Sequence, residues 1–250
     1  MASISISISI ITATFNAEVH LPGLIKSLVA QSDQDFEWVV ADGGSTDGSL
    51  EIIEKAKALL HNVVVDSRPD HGIYDALNRG IRFSSGCYYI VLGADDQLLE
   101  DGIARYKLEC EKSLADFVTC RCMIAESVAS VRGPRWEFLY STQAHVTSHA
   151  VGLATKKALH ERFGYYSRNY PITADQLFIL FAIKNGATVF ASKHIVGRFS
   201  NTGVSHSDAA GALTESFRVN LKLGHNFYIQ LVLLILRLVK NSPKIFNASR

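Results

Sequence analysis

The sequence is poor in cysteine, has no apolar run of membrane-spanning length and carries almost no net charge, and each shortage argues against a class of protein. Its four cysteines form no C-x-x-C pair, which argues against a zinc ribbon or a redox motif and favours reduced thiols in a cytoplasmic protein. No Lys or Arg precedes Lys26, and Ser alternates with Ile from Ser3 to Ile10, a pattern typical of a strand and unlike a signal peptide. A net charge of +1 provides no overall field that would attract nucleic acid.

What the sequence does contain indicates a folded α/β protein. Hydrophobic residues make up 48% and charged residues 20% of a 250-residue chain, a length that one α/β domain can account for. Strand-like and helix-like segments alternate at the start, with strands at 3–14, 36–41, 62–65 and 88–92 and helices at 20–31, 49–60 and 72–83. This alternation predicts a mostly parallel central sheet flanked by helices, with its ligand crevice at the carboxyl ends of the strands.

Beyond residue 100 the pattern is looser. It predicts helices near 102–114, 156–163 and 174–184 and extended segments near 117–123, 145–154 and 188–199. No internal repeat or flexible linker divides the chain, so we expect a single domain followed by a helical tail.

Three polar clusters follow the apolar runs, at 14–16, 42–49 and 93–96. In the second cluster Asp42 ends a strand, Gly43 and Gly44 permit close approach of a ligand to the backbone, and Ser49 is placed to cap the next helix. The acidic positions do not match an EF-hand loop, which leaves a ligand-binding loop or a plain capped turn.

Asp95 and Asp96 follow a strand directly. Two adjacent carboxylates repel each other, and a hard divalent cation shared with substrate phosphates is the usual remedy, although Asp-Asp turns are also common. His145 and His149 lie four residues apart without an HExxH motif and in a segment that looks extended, so we expect no zinc site there.

The segment Phe227–Val239 is nearly all apolar and is followed by basic residues. As a helix of 13 residues it would be about 20 Å long, too short to span a bilayer. Two alternatives remain open: a helix that lies on a membrane surface, or a terminal helix that packs on the domain or on a second subunit.

Taken together, several motifs resemble the family 2 glycosyltransferases with the GT-A fold, a Rossmann-like sheet. The resemblance covers about residues 3–206, which implies a catalytic domain at 1–206 and a C-terminal tail at 207–250. Members with the GIYDA-N-GI variant typically build bacterial O-antigens, capsules and exopolysaccharides. The motifs are Thr14-Phe15-Asn16, ADGGSTDGS from Ala41, DHGIYDALNRGI from Asp70, VLGADD from Val91, His149, Phe163-Gly164, ITADQ from Ile172 and GVSH from Gly203.

The resemblance implies a role for each motif. Asp42 would contact the base and ribose of the nucleotide, since a carboxylate accepts hydrogen bonds from uracil and ribose. The Asp95–Asp96 pair would hold Mn²⁺ or Mg²⁺, although Gly93 occupies the place of the first Asp of the common LDADD form. The other residues expected at the nucleotide-sugar site are Thr14, Phe15, Asn16, Gly44, Ser45, Arg68, Asp70, Asp75, Asn78 and Asp95 itself.

Asp175 corresponds to the general base that takes the proton of the acceptor hydroxyl. A carboxylate in the first turn of a helix is also favoured by the helix dipole alone. His149 and His206 are expected near the diphosphate or the acceptor, and Trp136 is a candidate acceptor platform, with ordinary packing as the alternative for each.

The resulting expectation is an inverting glycosyltransferase. It would move a sugar from a nucleotide diphosphate, with UDP favoured, to a glycan or polyprenyl-linked acceptor in surface polysaccharide synthesis. We expect it in the cytoplasm or at the inner face of the membrane, with homo-oligomerisation left open. One alternative is a catalytically silent nucleotide-sugar-binding module. A nucleotidyltransferase would need a Gly-rich Lys/Arg loop after the first strand, which the sequence does not provide.

Overall fold

The computed structural model describes residues 7–147, 150–200 and 208–247, and the first half of its sheet is wholly parallel. In chain order its elements are β1 (Ile8–Thr14), α1 (Leu21–Val29), β2 (Glu37–Asp42), α2 (Ser49–Ala56), β3 (Val63–Ser67), α3 (Ile73–Phe83) and β4 (Tyr88–Val91). The strands run in the order β3-β2-β1-β4, and the three helices connect them as the alternation of the sequence predicts.

The second half continues the same sheet with mixed strand directions. Its elements are β5 (Gln97–Leu98), α4 (Gly102–Ser113), β6 (Phe117–Ile124), β7 (Ser127–Val128), α5 (Glu137–Tyr140), β8 (Leu153–Lys156), α6 (Leu159–Phe163), α7 (Ala174–Lys184) and β9 (Val189–Phe199). Strand β8 pairs antiparallel with both β4 and β6, and β6 pairs parallel with β9. The short strands β5 and β7 pair antiparallel with β9 and β6, respectively.

Two helices close the described chain, α8 (Ala209–Lys222) and α9 (Phe227–Asn247). They pack against each other, and α8 also contacts α7. Within the described ranges, no helix combines the length and the apolar character that crossing a membrane requires.

The sheet separates two hydrophobic layers. Ile8 and Ile10 of β1 pack with α1 on one face, and Ile11 packs with α3 on the other. β1 is therefore buried on both faces, as expected of a central parallel strand. Gly80 allows α3 to lie close to this strand, because a Cβ there would come within 2.5 Å of the Ile11 side chain. The predicted α/β fold class, a central sheet flanked by helices, is confirmed.

Candidate active site

Asp42 ends β2 and is fully buried. Burial alone would raise the pKa of its carboxyl, but hydrogen bonds from Ser45, Ser67 and Thr14 outweigh burial and hold the pKa below its ordinary value. Both carboxylate oxygens receive hydrogen bonds, from the amides of Gly44 and Ser45 at 2.9 Å, the hydroxyl of Ser45 at 2.5 Å, that of Ser67 at 2.8 Å and that of Thr14 at 3.0 Å. The Asp42 carboxylate therefore organises the loop that follows β2.

This loop is joined to the loop after β1. The amide of Asn16 donates to the Ser45 hydroxyl at 2.8 Å, and the amide of Thr46 donates to the Asn16 side-chain oxygen at 2.9 Å. Asn16 adopts a left-handed conformation, with φ of 48°, which Asn tolerates better than most residues. Phe15, two-thirds exposed, projects from the same turn. The predicted nucleotide-binding residues of these two joined loops, which we call the predicted nucleotide rim, are Thr14, Phe15, Asn16, Asp42, Gly44 and Ser45.

Arg79 of α3 connects the carboxyl ends of β2 and β3. It is buried, pairs with the Asp66 carboxylate, donates to the backbone carbonyl of Asp42 at 3.0 Å and lies 3.5 Å from Asp70. Arg68 is exposed and pairs with Asp66 at 3.4 Å. The buried guanidinium of Arg79 therefore offsets the negative charge that gathers at this edge of the sheet.

Asp75 and Asn78 of α3 hold the segment that precedes α7. Asp75 forms an ion pair with Arg168, and both side-chain atoms of Asn78 bond the backbone of Tyr166, at 2.9 and 3.0 Å. Burial would raise the pKa of Asp75, but hydrogen bonds from the His71 amide and from Arg168 keep it below its ordinary value. In this structure both residues brace the site, and their contact with a nucleotide stays a prediction.

A cavity of about 220 Å³ opens beside these loops. Asp95, Asp96 and Asp175 all line it, so the structure brings the predicted metal-binding pair and the predicted general base to one cavity. Much of the remaining wall is apolar or aromatic: Ala13, Ile73, Tyr74, Leu77, Val91, Tyr166, Ile172 and Phe199. A larger groove of about 540 Å³ between α1 and α2 has an almost wholly apolar lining and contains none of the predicted site residues.

Asp96 is buried and fixed by the backbone. Its two oxygens accept from the amides of Gly93 at 2.8 Å and Ser200 at 2.9 Å, while Asp95 is half-buried. Gly93 makes this arrangement possible, because a Cβ there would lie 2.7 Å from Oδ1 of Asp95 and 3.1 Å from Oδ2 of Asp96. The two carboxylates fold back over Gly93, where a larger side chain would displace them.

These carboxylates fit the donor chemistry of Mn²⁺ or Mg²⁺. Among the described residues, no group of three or more His, Cys, Asp or Glu side chains is placed to hold a metal ion. Asp95 and Asp96 would supply one or two carboxylates at the cavity, which suits a hard cation that completes its coordination with diphosphate oxygens and water.

Asp175 lies in the first turn of α7 and is buried. The Tyr74 hydroxyl donates to its Oδ1 and also lies 2.8 Å from the carbonyl oxygen of Ile172. Burial and the nearby Asp175 carboxylate raise the pKa of Tyr74 well above its ordinary value, so Tyr74 keeps its proton at neutral pH. Tyr74 therefore fixes the orientation of the predicted base.

Glu215 of α8 holds the turn that carries Asp175. Its Oε2 accepts from the amides of Ile172 at 3.0 Å and Thr173 at 2.9 Å, and from the Thr173 hydroxyl at 3.1 Å. These donors belong to the start of α7, where backbone amides have no partner within the helix. Glu215 thus plays the part that a capping side chain plays at other helix ends.

Other predicted residues lie elsewhere. Asp42 is not part of the cavity wall; it is hydrogen-bonded to Thr14, the neighbour of the lining residue Ala13. Trp136 is exposed on the surface, 6.3 Å from Phe138 between ring centroids, and does not line the cavity. His149 and His206 lie outside the described residues.

Sequence reasoning did not single out four residues that brace the site: Tyr74, Arg79, Tyr166 and Glu215. Tyr74 and Arg79 belong to the GIYDALNRGI motif. The strong separation of apolar and polar residues along α3 is the sequence signal that could have pointed to them. No local pattern distinguishes Glu215, because its partners lie about forty positions earlier in the chain.

The sheet defines this protein as a member of the GT-A fold class. The structure of TarS from S. aureus in complex with UDP-GlcNAc superposes with a TM-score of 0.68 at 18% identity, covering 97% of this chain and 79% of that one. The mannosyltransferase PcManGT from Pyrobaculum calidifontis, in complex with GDP-Man and Mn²⁺, gives 0.69 at 16% identity, covering 94% and 75%. At these identities the likeness establishes the fold.

The sequence family follows from a different comparison. The protein-family model described as Glycosyl transferase family 2 matches residues 9–177 of the sequence, and the chain belongs to this family. A PGL/p-HBAD biosynthesis glycosyltransferase of Mycobacterium tuberculosis is 28% identical over 247 residues, which is 96% of this chain and 92% of that protein. The chain is therefore a glycosyltransferase of family 2, in agreement with the resemblance of its motifs.

Proposed function

We propose that the protein transfers a sugar, with inversion, from a nucleoside-diphosphate donor to a hydroxyl of a glycan or lipid-linked acceptor. We favour UDP as the nucleotide and Mn²⁺ or Mg²⁺ as the cation. The observation that carries the proposal is that Asp175 and the Asp95–Asp96 pair line one cavity at the edge where the parallel strands end. In the proposed reaction, the general base and the cation-binding pair must both face the anomeric carbon of the sugar. Residues that line one cavity can do so.

Each group has a defined part in the reaction. Asp175 takes the proton of the acceptor hydroxyl as its oxygen bonds to the anomeric carbon, and the bond from that carbon to the diphosphate breaks. Asp95 and Asp96 would hold the cation, which when bound neutralises charge on the departing diphosphate. Tyr74 donates to Asp175 and so limits the directions from which the carboxylate can meet the acceptor.

The donor is proposed from the rim around Asp42. The hydroxyls of Thr14, Ser45 and Ser67 and the amides of Gly44 and Ser45 surround this carboxylate, and they offer donors and acceptors that suit a base and a ribose. TarS and PcManGT were solved with UDP-GlcNAc and GDP-Man, which supports a nucleotide-sugar donor without choosing its base. Since Asp42 is already surrounded by protein donors, binding would require the Thr14, Ser45 or Ser67 hydroxyls to turn toward the ligand.

The acceptor is proposed from the name of the mycobacterial relative, which assigns that protein to PGL/p-HBAD biosynthesis. We extend this to a role in bacterial surface polysaccharide or glycolipid synthesis, at the inner face of the cell membrane. The apolar and aromatic wall of the cavity supports an acceptor with a non-polar face, such as a sugar ring.

Two observations favour the catalytically silent alternative. Both Asp96 oxygens already accept backbone hydrogen bonds, and Gly93 removes one carboxylate from the usual motif. A binding module would still be stabilised by the donor but would never release the nucleoside diphosphate. Both functions therefore predict donor binding, but only the transferase predicts turnover.

The test combines binding and turnover on the whole chain. Thermal shifts against UDP-, GDP- and TDP-sugars with Mn²⁺ identify the donor, and release of nucleoside diphosphate measures slow donor hydrolysis or transfer. Asp175→Asn should lower turnover by roughly 10²–10⁴-fold while leaving donor affinity nearly unchanged. Stabilisation by a donor without turnover in the wild type would assign the protein to the silent alternative, and a small loss in Asp175→Asn would remove Asp175 as the base.

A further inference from the structure

Helix α9 turns three of its polar side chains, Gln230, Arg237 and Asn241, toward the protein. Gln230 is only 2% exposed and donates to the carbonyl oxygen of Phe138 at 3.0 Å. Arg237, two turns later on the same face, donates to the carbonyl oxygen of Leu139, and half-buried Asn241 follows one turn further on. These contacts fix the rotation of α9 against the segment that contains α5.

The opposite face of α9 is apolar and exposed. Tyr228, Val232, Ile235 and Val239 recur at intervals of four, three and four residues, which places them on one stripe of the helix. Their exposed fractions are 75%, 56%, 52% and 68%, and Ile229 and Leu236 widen the stripe. A surface helix normally buries its apolar stripe and exposes its polar residues. The reversed orientation of α9 leaves a continuous apolar stripe that an isolated molecule in water would not favour.

The sequence around α9 is basic. Residues 216–250 contain six Lys or Arg and no Asp or Glu. Arg218 and Lys222 lie over the Tyr170 ring and Arg237 faces the protein, while Lys240 is exposed at the edge of the stripe.

Glu137, in the segment that packs against α9, is paired with His145 and His225. The segment that packs against α9 also has exposed Arg132, Arg135 and Trp136 in the turn before α5. An apolar stripe with exposed Lys240 at its edge, together with these exposed basic and aromatic residues, matches a surface rich in anionic headgroups over an apolar interior.

We propose that the outward face of α9 docks on the surface of an anionic lipid bilayer, with the helix lying in the interface plane. At 21 residues the helix is about 32 Å long, so the stripe along it offers a contact several turns in length. A second copy of the chain fits the stripe less well. Residues 216–250 contain no Asp or Glu that could pair with the basic residues of a second copy across a two-fold interface.

The test measures co-sedimentation of the 250-residue chain with vesicles of phosphatidylcholine, with and without phosphatidylglycerol. We expect the protein to pellet with the anionic vesicles, to pellet less with the neutral ones and to be released in part by salt. The double variant Val232→Asp/Ile235→Asp should reduce the bound fraction on the order of tenfold or more, because both apolar side chains leave the lipid and two negative charges are added.

The matched control is Leu59→Asp/Leu108→Asp, which makes the same chemical change at two leucines that are similarly exposed, at 59% and 55%, away from α9. It should bind vesicles as the wild type does. Lys240→Glu provides a second variant that leaves the stripe intact, and it should weaken binding to anionic vesicles only. Circular dichroism verifies that each variant is folded.

Two results would overturn the proposal. The first is a wild type that stays in the supernatant with anionic vesicles at low salt. The second is a wild-type dimer in light scattering that Val232→Asp/Ile235→Asp converts to a monomer, which would make the stripe an interface between copies. Because no part of this test uses a sugar donor, its failure would not bear on the proposed transferase activity.

Discussion

The hydroxyl of Tyr74 donates a hydrogen bond to the carboxylate of Asp175, although the two residues lie 101 positions apart in the chain. Tyr74 belongs to the first turn of α3, in the parallel half of the sheet, and Asp175 to the first turn of α7. This bond joins the half that carries the predicted nucleotide rim to the helix that carries the predicted base. The orientation of the proposed base therefore depends on a contact between the GIYDALNRGI motif and the ITADQ motif, which neither motif contains by itself.

Tyr74→Phe tests that dependence, because it removes the hydroxyl and keeps the ring. We expect kcat to fall by roughly 10- to 100-fold through loss of orientation, with the KM for the donor little changed. Steady-state kinetics with both substrates varied would measure the effect. Tyr165→Phe is the matched control, since Tyr165 lies near the site but outside the cavity wall. A Tyr74→Phe variant with wild-type kcat would show that Asp175 needs no partner on α3.

Asp95 and Asp96 should respond differently to replacement by Asn. In Asp96→Asn, the new side-chain amide nitrogen would face one of the two backbone donors that the carboxylate now accepts from, so this change should cost about 1–3 kcal/mol of unfolding free energy. Asp95 is half-buried, and Asp95→Asn should cost less stability while reducing the extra donor binding that Mn²⁺ provides.

Urea unfolding and donor titration with and without chelator would measure both effects. The double variant should lose activity and all metal-dependent donor binding. Activity that persists in the double variant, or in the wild type with chelator present, would contradict a cation at this pair.

Gly93 offers a test of why this chain departs from the common acidic motif. Gly93→Ala places a Cβ within 2.7 Å of Oδ1 of Asp95, so the two carboxylates must move apart. We expect a lower melting temperature and weaker Mn²⁺-dependent donor binding, since overpacking at a rigid site typically costs about 1–3 kcal/mol. Gly72→Ala is a useful comparison: no atom lies within 4 Å of a Cβ there, and its strain would come from its φ of 105° alone. If Gly93→Ala binds metal and donor as the wild type does, the loop accepts a larger side chain without displacing the two carboxylates, which would contradict this prediction.

The sequence could predict the parallel half of the fold because its signals are local. Apolar runs alternate with amphipathic helices, and polar clusters such as 42–49 follow each run, so topology alone places them at one edge. The second half is less predictable. The pattern at 145–154 predicts an extended segment, but of its described residues, 145–147 and 150–154, only Leu153 and Ala154 belong to a strand, and turns or bends precede them.

The contacts of the site depend on partners distant in sequence, which no local pattern reveals. Asn78 bonds Tyr166 at a separation of 88 residues, and Ser67 reaches Asp42 from the next strand. The periodicity of α9 likewise shows which face is apolar but not which way that face points. Its rotation is set by Gln230 and Arg237 bonding to carbonyl groups about 90 or more positions earlier.

The depressed pKa of Asp42 predicts how stability should vary in acid. Its folded-state pKa lies below the unfolded value, because the hydrogen bonds from Ser45, Ser67 and Thr14 favour the charged form more than burial opposes it. The unfolded chain therefore binds the proton more readily, and the stabilisation is present above the unfolded pKa and lost as the pH falls through the folded one. Asp75 shifts in the same direction and should add to the effect.

Urea unfolding at a series of pH values would measure it. The unfolding free energy of the wild type should fall steeply from about pH 5 toward about pH 3, the range in which carboxylates of ordinary pKa take up protons. Asp42→Asn should be less stable at neutral pH and should show a shallower fall, because one of the titrating groups is gone. Asp33→Asn is the matched control: Asp33 is an acidic side chain paired with Lys107 away from the site, and its loss should leave the steep fall in place. Equal slopes in the wild type and in Asp42→Asn would mean that the hydrogen bonds around Asp42 do not stabilise its charged form.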